Sequence, residues 1–249
     1  MAVERFDIKK EIKRYLSPRK TLAPWIFDKK GVMHEDFRQG LMKIADKVIE
    51  ETIGSIGGVE IWDVLLTGSS SGYFYRDDSD IDMQIMARNV SCADFCDDEE
   101  KFNKFLVPLG FALREKKYIF QFQERFVDVK LSRYQIDFLS LYSIKNNQWL
   151  IKPDRNCAKG LDAKEIEAYY FEKKEALLKK LEAVRAENQT PESLEKLRKG
   201  LQEVYKEAYY NENFKDFIVA KLFNYEGMVK PLFREIIETY NKEFEKKTP

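Results

Sequence analysis

Two segments near the N-terminus have the hydrophobic spacing of amphipathic helices. Residues 5–16 predict a short charged helix, and Lys20 to Gly31 read as a loop. From His34 to Ile53, apolar side chains recur at spacings of three and four residues, which predicts a helix with one core-facing side. These side chains are Phe37, Leu41, Ile44, Ala45, Val48 and Ile49. Gly54 to Gly58 end this helix.

The pattern then changes to the alternation that is typical of β-strands. Residues 60–67 predict a strand that enters the Ser- and Gly-rich stretch of residues 68–76. Residues 80–87 alternate cleanly between polar and apolar positions, which predicts a second, half-buried strand. The polar side is Asp80, Asp82 and Gln84, and the apolar side is Ile81, Met83 and Ile85.

Two further strands are predicted after a charged segment. An acidic cluster at residues 97–100 precedes a predicted helix that ends near residue 108. Residues 117–123 and 126–132 then predict two strands, joined as a hairpin around residues 123–125.

Beyond Asp162 the chain consists of segments rich in Lys, Glu, Leu and Ala. Asp162, with Glu165 three residues later, is typical of a helix start. Thr190-Pro191 marks a second helix start. Gly227 and Pro231 mark a last helix, which runs to about residue 246. The sequence therefore predicts an α+β domain over residues 1–158 and a helical domain over residues 159–249.

The composition restricts the partners of the protein. The chain has 249 residues, and its 43 basic residues balance 43 acidic ones, so the formal net charge is zero. A neutral chain without a basic stripe is not expected to coat a polyanion, and long nucleic acid is slightly disfavoured. With 44% hydrophobic and 14% aromatic residues, the chain can form a core.

The chain carries no signal for a membrane, for secretion or for a disulfide framework. No run of 18 apolar residues occurs, and the charged N-terminus lacks the apolar core of a signal peptide. Three cysteines, Cys92, Cys96 and Cys157, are too few for a disulfide framework, and the single histidine, His34, lies far from them. We therefore expect a soluble cytoplasmic protein with no membrane partner and no structural zinc.

Three aspartates and a Gly-Ser pair concentrate the candidate chemistry between residues 60 and 132. Gly68-Ser69 ends a predicted strand and opens a short helix, whose backbone N–H groups can point at an anion such as a triphosphate. Asp80 and Asp82 share one strand face, roughly 7 Å apart along the backbone. Their oxygens can converge on two cations about 3.5–4 Å apart, the arrangement used in in-line phosphoryl displacement. Asp128 lies between two core-facing valines, and a metal explains an acid at that position.

The stretch of residues 65–85, together with Asp128, resembles the nucleotidyltransferase superfamily of DNA polymerase β type. The shared pattern is an apolar strand, Gly-Ser, a spacer, and then acid-apolar-acid-apolar. Within that superfamily the chain is most similar to small predicted nucleotidyltransferases of tailed bacteriophages, which carry a similar Gly-Ser block and a Tyr-Ser…Trp…Lys-Pro segment, here residues 142–153. The resemblance covers about residues 33–155. It implies a core of a short mixed sheet with flanking helices, followed by a helical C-terminal region, and an origin in a phage is compatible with it.

The resemblance implies a metal-dependent nucleotidyl transfer. Asp80 and Asp82 would hold two Mg²⁺ (or Mn²⁺) ions, and Asp128 would complete the second site and help to deprotonate the acceptor hydroxyl. That hydroxyl would attack the α-phosphorus of a nucleoside triphosphate such as ATP, and pyrophosphate would leave. The acceptor stays open among an RNA 3′ end, a protein hydroxyl and a small molecule.

The resemblance also implies a set of nucleotide-binding residues. Gly68 and Ser69, with Ser70 beside them, would bind the β- and γ-phosphates. Basic side chains often assist the triphosphate in this superfamily, and the candidates are Arg76, Lys130 and Lys221. Tyr142 or Trp149 could stack on the base, although an aromatic at such a position is more often part of the core.

Other readings of the same residues are weaker. Residues 68–72 also match the Gly-x-Ser-x-Gly nucleophile elbow, but that fold needs a histidine after the serine, and His34 precedes it. A Walker phosphate loop needs Gly-Lys-Ser/Thr, which is absent here. The alternative that stays open is a catalytically silent module of the nucleotidyltransferase fold that binds nucleotide or a protein partner in a sensing or assembly role. The presence of all three acids favours the enzyme.

Overall fold

The computed structural model describes residues 6–54, 58–89, 120–132, 139–186 and 213–226. The chain divides into two compact units. Residues Pro18–Arg155 form one, called the sheet unit, and Met1–Ser17 with Asn156–Pro249 form the other, called the helical unit. The N-terminal helix therefore groups with the C-terminal segments, whereas the sequence predicts a domain of residues 1–158 that includes it.

A six-stranded mixed sheet forms the centre of the sheet unit. Its strands are β1 (Val59–Thr67), β2 (Ile81–Asn89), β3 (Phe120–Phe122), β4 (Arg125–Ser132), β5 (Leu141–Ser143) and β6 (Gln148–Ile151). They lie in the order β3-β4-β2-β1-β5-β6, and β2 and β4 pair in parallel while the other pairs are antiparallel. The predicted α+β class and mixed sheet are confirmed.

The predicted strands correspond closely to the observed ones. The predictions over residues 60–67 and 80–87 match β1 and β2, whose antiparallel register shifts between Ile61 and Asp63. The predicted hairpin is β3–β4, and its turn residues Gln123 and Glu124 have positive φ angles of 48° and 63°. Two left-handed residues suit a two-residue hairpin turn, because their twist matches that of the flanking strands.

The sheet has two chemically different faces, because successive residues of a strand point to opposite sides. The core face is apolar and carries Val64, Leu66, Ile81, Met83, Ile85, Val127 and Val129. The other side, called the polar face, carries cross-strand pairs that contain charged or amide side chains. These pairs are Asp63–Met86, Leu65–Gln84, Thr67–Asp82, Asp82–Asp128 and Gln84–Lys130.

Helix α2 (Glu35–Thr52) packs into the core-face cluster. Its fully buried side chains keep the predicted spacing of three and four residues, and they are Phe37, Leu41, Ala45 and Val48. The Phe37 ring meets the Phe122 ring of β3 edge-on at 5.2 Å, and a Cβ at Gly40 would overlap that Phe122 ring. Each fully buried large apolar side chain stabilises the fold by roughly 1.5–3 kcal/mol, so this interface contributes to the stability of the sheet unit.

The helical unit contains α1 (Ile8–Leu16), α3 (Ala163–Ala186) and α4 (Phe214–Glu226). The Asp162 carboxylate accepts the backbone N–H groups of Lys164 and Glu165 at 2.8 and 3.1 Å, so the predicted helix start is confirmed. Asp7 caps α1 in the same way.

Aromatic contacts explain why α1 belongs to the helical unit. The buried Tyr15 of α1 meets Phe217 of α4 edge-on at 5.9 Å, and Tyr170 of α3 lies 5.1 Å from Phe223 of α4. The apolar side of α1 therefore packs against a helix far away in sequence. Local periodicity does not reveal this pairing.

Several predicted features lie outside the described residues. They are the acidic cluster at 97–100 with the helix after it, Cys92 and Cys96, the start at Thr190-Pro191, and the final helix from about residue 227 to 246. Among the helices that are described, none combines the length and the apolar character needed to cross a membrane.

Candidate functional site

Gly68 lets the chain turn closely against the second acid of the motif. It follows β1 with a φ of +74°, a left-handed conformation that side-chain-bearing residues rarely adopt. A Cβ at this position would overlap the carboxylate of Asp82. Glycine is therefore required twice, for its backbone conformation and for the approach of Asp82.

The serines after Gly68 form a short 3₁₀ helix, Ser69–Ser71. The buried Ser70 hydroxyl donates to the carbonyl of Asp80, and the Ser71 hydroxyl lies 2.9 Å from the Gly68 carbonyl and 2.7 Å from the Ser140 hydroxyl. These hydroxyls fix the loop against its neighbours. Ser70 is 0% exposed, so its side chain holds the loop in place and does not present a hydroxyl to a phosphate.

The parallel pairing of β2 and β4 brings Asp82 and Asp128 side by side. The two residues are direct partners in the register, and both lie on the polar face. The Lys130 ammonium bridges them, with Nζ 3.0 Å from Asp82 Oδ1 and 3.3 Å from Asp128 Oδ2. The Asp82 and Asp128 side chains are 17% and 37% exposed, so this acid pair is accessible to solvent.

The electrostatics of Lys130 reflect its two acidic neighbours. Partial burial opposes the charge of the ammonium, but the Asp82 and Asp128 carboxylates outweigh burial and raise the pKa of Lys130 above its ordinary value. Lys130 therefore stays charged at neutral pH and balances part of the negative charge of the pair.

The Asp82–Asp128 pair is suited to hold a divalent cation. Carboxylate oxygens are the preferred ligands of Mg²⁺ and Mn²⁺, and the Lys130 ammonium already places a cation between the two carboxylates. In the described part of the chain, no group of three or more His, Cys, Asp or Glu side chains is gathered as a metal site. The structure thus assembles two of the three predicted metal ligands.

The third predicted ligand, Asp80, lies just before β2 and is exposed. Its backbone carbonyl is fixed by Ser70, which ties the end of the spacer to the 3₁₀ helix. Asp80 and Asp82 are two residues apart at the start of the strand, as the acid-apolar-acid pattern requires, and a metal role for Asp80 stays a prediction.

Two residues next to Asp80 were not identified from the sequence. Ser79 accepts the backbone N–H of Arg76 on its hydroxyl at 2.8 Å and lies 3.3 Å from the Ser69 hydroxyl. Arg125 donates from Nη1 to the Ser79 carbonyl at 3.2 Å, while its guanidinium lies 3.8 Å from the centre of the Trp25 ring. Arg125 therefore brings a positive charge beside the motif. It sits at a hairpin turn far along the chain, and no local pattern signals this contact.

The remaining predicted basic residues have different surroundings. The Arg76 guanidinium lies 3.8 Å from Asp78 within the spacer. Lys221 belongs to the helical unit, where its ammonium lies 5.5 Å from the centre of the Phe217 ring. Neither contact indicates a phosphate site. A role of Arg76 or Lys221 in binding the triphosphate stays a prediction.

Tyr142 occupies the core of the sheet unit. Its side chain is 1% exposed, its hydroxyl donates to Asn147 Oδ1 at 2.7 Å, and that hydroxyl accepts the Met33 backbone N–H at 3.1 Å. The ring packs edge-on against Phe27 at 5.3 Å and Trp149 at 4.9 Å. An enclosed ring has no open face for a nucleobase, so the proposed base-stacking role of Tyr142 is replaced by a structural one.

Trp149 is likewise held by contacts within the sheet unit. Its indole N–H donates to the Gly31 carbonyl at 2.8 Å, and its ring stacks on Phe27 at 5.0 Å. These contacts hold the loop before α2 against β6. The Tyr-Ser…Trp segment therefore supports the fold around the site.

Comparison of the chain with protein-family models, with curated proteins and with solved structures finds no match.

Proposed function

We propose that the protein is a metal-dependent nucleotidyltransferase, which moves a nucleoside monophosphate from a triphosphate to an acceptor hydroxyl and releases pyrophosphate. The observation that carries the proposal is the register of β2 and β4, which sets Asp82 beside Asp128 on the polar face. Gly68 approaches Asp82 closely on the same edge. This proximity of Gly68, Asp82 and Asp128 supports the proposal, and a polymerase-β-like core is the fold we infer for the sheet unit.

Each residue has a distinct part in the proposed reaction. Asp82 and Asp128 would hold divalent metal, with Asp80 adding ligands from the start of β2. Bound metal would supply charge stabilisation at the transferred phosphoryl group. Asp128 would position the acceptor hydroxyl and receive its proton. The Gly68 turn would approach the triphosphate with its backbone, and Arg125 would add positive charge nearby.

The test is nucleotide turnover by the purified full chain. The protein is incubated with each α-labelled nucleoside triphosphate, Mg²⁺ or Mn²⁺, and acceptor pools of RNA, protein and small hydroxyl compounds. We expect pyrophosphate release and transfer of label to one pool. The Asp80→Ala/Asp82→Ala variant removes two proposed ligands and should show no turnover.

The matched control is Asp46→Ala, which removes an exposed acid from α2 outside the site. This variant should turn over like the wild type. Metal-independent release, or equal release from the double variant, would contradict the catalytic assignment. Nucleotide binding without turnover of any acceptor would favour the silent sensing or assembly module.

A further inference from the structure

Lys130 occupies the place that a divalent metal would need. Its ammonium contacts Asp82 Oδ1 and Asp128 Oδ2, which are oxygens that the proposed metal site would use. An ammonium and a divalent cation cannot both lie between the same two oxygen atoms at contact distance. Metal binding through Asp82 Oδ1 and Asp128 Oδ2 therefore requires the Lys130 head group to leave.

Gln84 offers a second place for that head group. Its side chain is 2% exposed, and its Oε1 atom is a buried acceptor with no hydrogen-bond partner among the described residues. A buried carbonyl that lacks a donor is unfavourable, and most such groups in folded proteins are satisfied. The atom is thus suited to receive a donor that arrives in another state of the protein.

The register places Gln84 beside Lys130 in the sheet. Gln84 and Lys130 are direct partners across the parallel β2–β4 pair, and both lie on the polar face. Neighbouring strands are about 4.8 Å apart, and a lysine side chain is a flexible four-carbon stem with three N–H donors. The lysine side chain is therefore long and flexible enough to reach either the acid pair or the adjacent amide.

We propose that Lys130 is a displaceable internal counter-ion, which bridges Asp82 and Asp128 without metal and moves to the Gln84 carbonyl when metal binds. The inference rests on the proposed function, because it concerns the same metal site. Without metal, Lys130 prevents two neighbouring carboxylates from repelling each other. With metal, Gln84 lowers the cost of moving the ammonium. The pair Lys130 and Gln84 thereby sets the metal affinity of the site.

The first measurement is Mn²⁺ affinity by calorimetry and electron paramagnetic resonance, without nucleotide. In Lys130→Met the competing ammonium is gone, so we expect Mn²⁺ to bind about tenfold more tightly than to the wild type, a typical coupling for groups in direct contact. Lys130→Gln should shift the affinity in the same direction and serves as the second variant if the methionine variant folds poorly. Lys152→Met, which removes an exposed lysine of the same unit, is the control and should bind Mn²⁺ like the wild type.

The second measurement tests Gln84 through a double-mutant cycle. In Gln84→Met the displaced ammonium loses its acceptor, so Mn²⁺ should bind about threefold more weakly, the effect of one ordinary hydrogen bond. In the Lys130→Met background the same Gln84 change should have no effect on the affinity. A purely structural role of Gln84 would shift both backgrounds equally.

The outcomes separate this inference from the proposed function. If the wild type binds no Mn²⁺, or binds it equally well after Asp82→Ala, the metal site itself fails. If the wild type binds Mn²⁺ at Asp82 and both Lys130 variants bind it equally or more weakly, the counter-ion role is overturned. If only the Gln84 cycle is additive, Lys130 is displaced to another position and the Gln84 part of the inference is wrong.

Discussion

Asp63 and Asp82 lie on the same polar face, yet the sheet stabilises them in opposite ways. Asp63 is 2% exposed and accepts neutral donors: the Val64 backbone N–H at 2.8 Å, the Ser143 hydroxyl at 2.7 Å and the Asn146 amide at 3.4 Å. Asp82 is more exposed and is balanced by the positive charge of Lys130, whose Nζ lies 3.0 Å from Asp82 Oδ1. The three neutral donors hold the Asp63 carboxylate in one position, and we call this hydrogen-bonded cluster the Asp63 lock. The flexible Lys130 side chain instead makes Asp82 part of a site whose cation can be exchanged.

The largest expected effect is the loss of activity in Asp82→Asn. This change keeps the size of the side chain but removes a metal-binding charge, so turnover should fall by about 10³-fold, equivalent to several kcal/mol of transition-state stabilisation. Pyrophosphate release at saturating metal measures it. Circular dichroism should show a folded protein, and a variant with near wild-type turnover would show that Asp82 is not part of the proposed catalytic site.

Asp63→Ala should lower the stability of the protein and leave turnover unchanged, the reverse of what is expected for Asp82→Asn. The substitution leaves several buried donors without an acceptor, so the free energy of unfolding should fall by about 2–4 kcal/mol. Urea denaturation measures the loss, and turnover per folded molecule should stay close to that of the wild type. Unchanged stability together with lost turnover would reverse the roles that the comparison assigns to the two acids.

Ser143→Ala tests one donor of the lock on its own. The change removes the hydroxyl that Asp63 accepts, but the backbone and Asn146 donors remain, so the loss in unfolding free energy should be about 1 kcal/mol. In an Asp63→Ala background the same change should have a smaller effect, since the partner is already absent. Fully additive losses would indicate that the Asp63–Ser143 contact contributes little.

The smallest expected effect concerns an exposed acid outside both clusters. Hydrogen bonds from Arg38 and Gln39 lower the pKa of Glu35 from 4.5 to about 2. A lowered pKa means that the contribution to stability is present above pH 4.5 and is lost as the pH falls towards 2. The stability difference between wild type and Glu35→Gln, followed by urea denaturation, should therefore be constant above that range and shrink within it. A difference that does not change with pH would exclude an ionic contribution.

Local patterns predicted the elements that carry the site. Alternation in residues 80–87 predicted β2, and Gly68-Ser69 after an apolar strand predicted the start of a short helix, which is the 3₁₀ helix Ser69–Ser71. Such features depend on neighbours in sequence, because side-chain period and turn conformation are local properties.

The same patterns could not predict which polar side chains would be buried. For Tyr142 the sequence left both a stacking role and a core position open, and only its partners Phe27 and Trp149 show that it is enclosed. Asp63 reads like an ordinary acid within a strand, and only its donors on β5 and the following turn explain its burial. Burial depends on partners that come from other elements.

The sequence by itself determined the α+β class, the strands β1 to β4, the helix α2 and the start of α3, together with the order of acids that predicts metal chemistry. The short strands β5 and β6 and the start of α4 were not predicted. The tertiary structure decided that β4 lies parallel to β2 in the register that pairs Asp82 with Asp128, that Lys130 bridges them, and that α1 groups with the helices of the other unit. The physical reason is the distance along the chain over which each interaction acts. Periodicity and capping act over a few residues, but strand register and ion pairing are selected by the combined burial and charge of segments far apart in the chain.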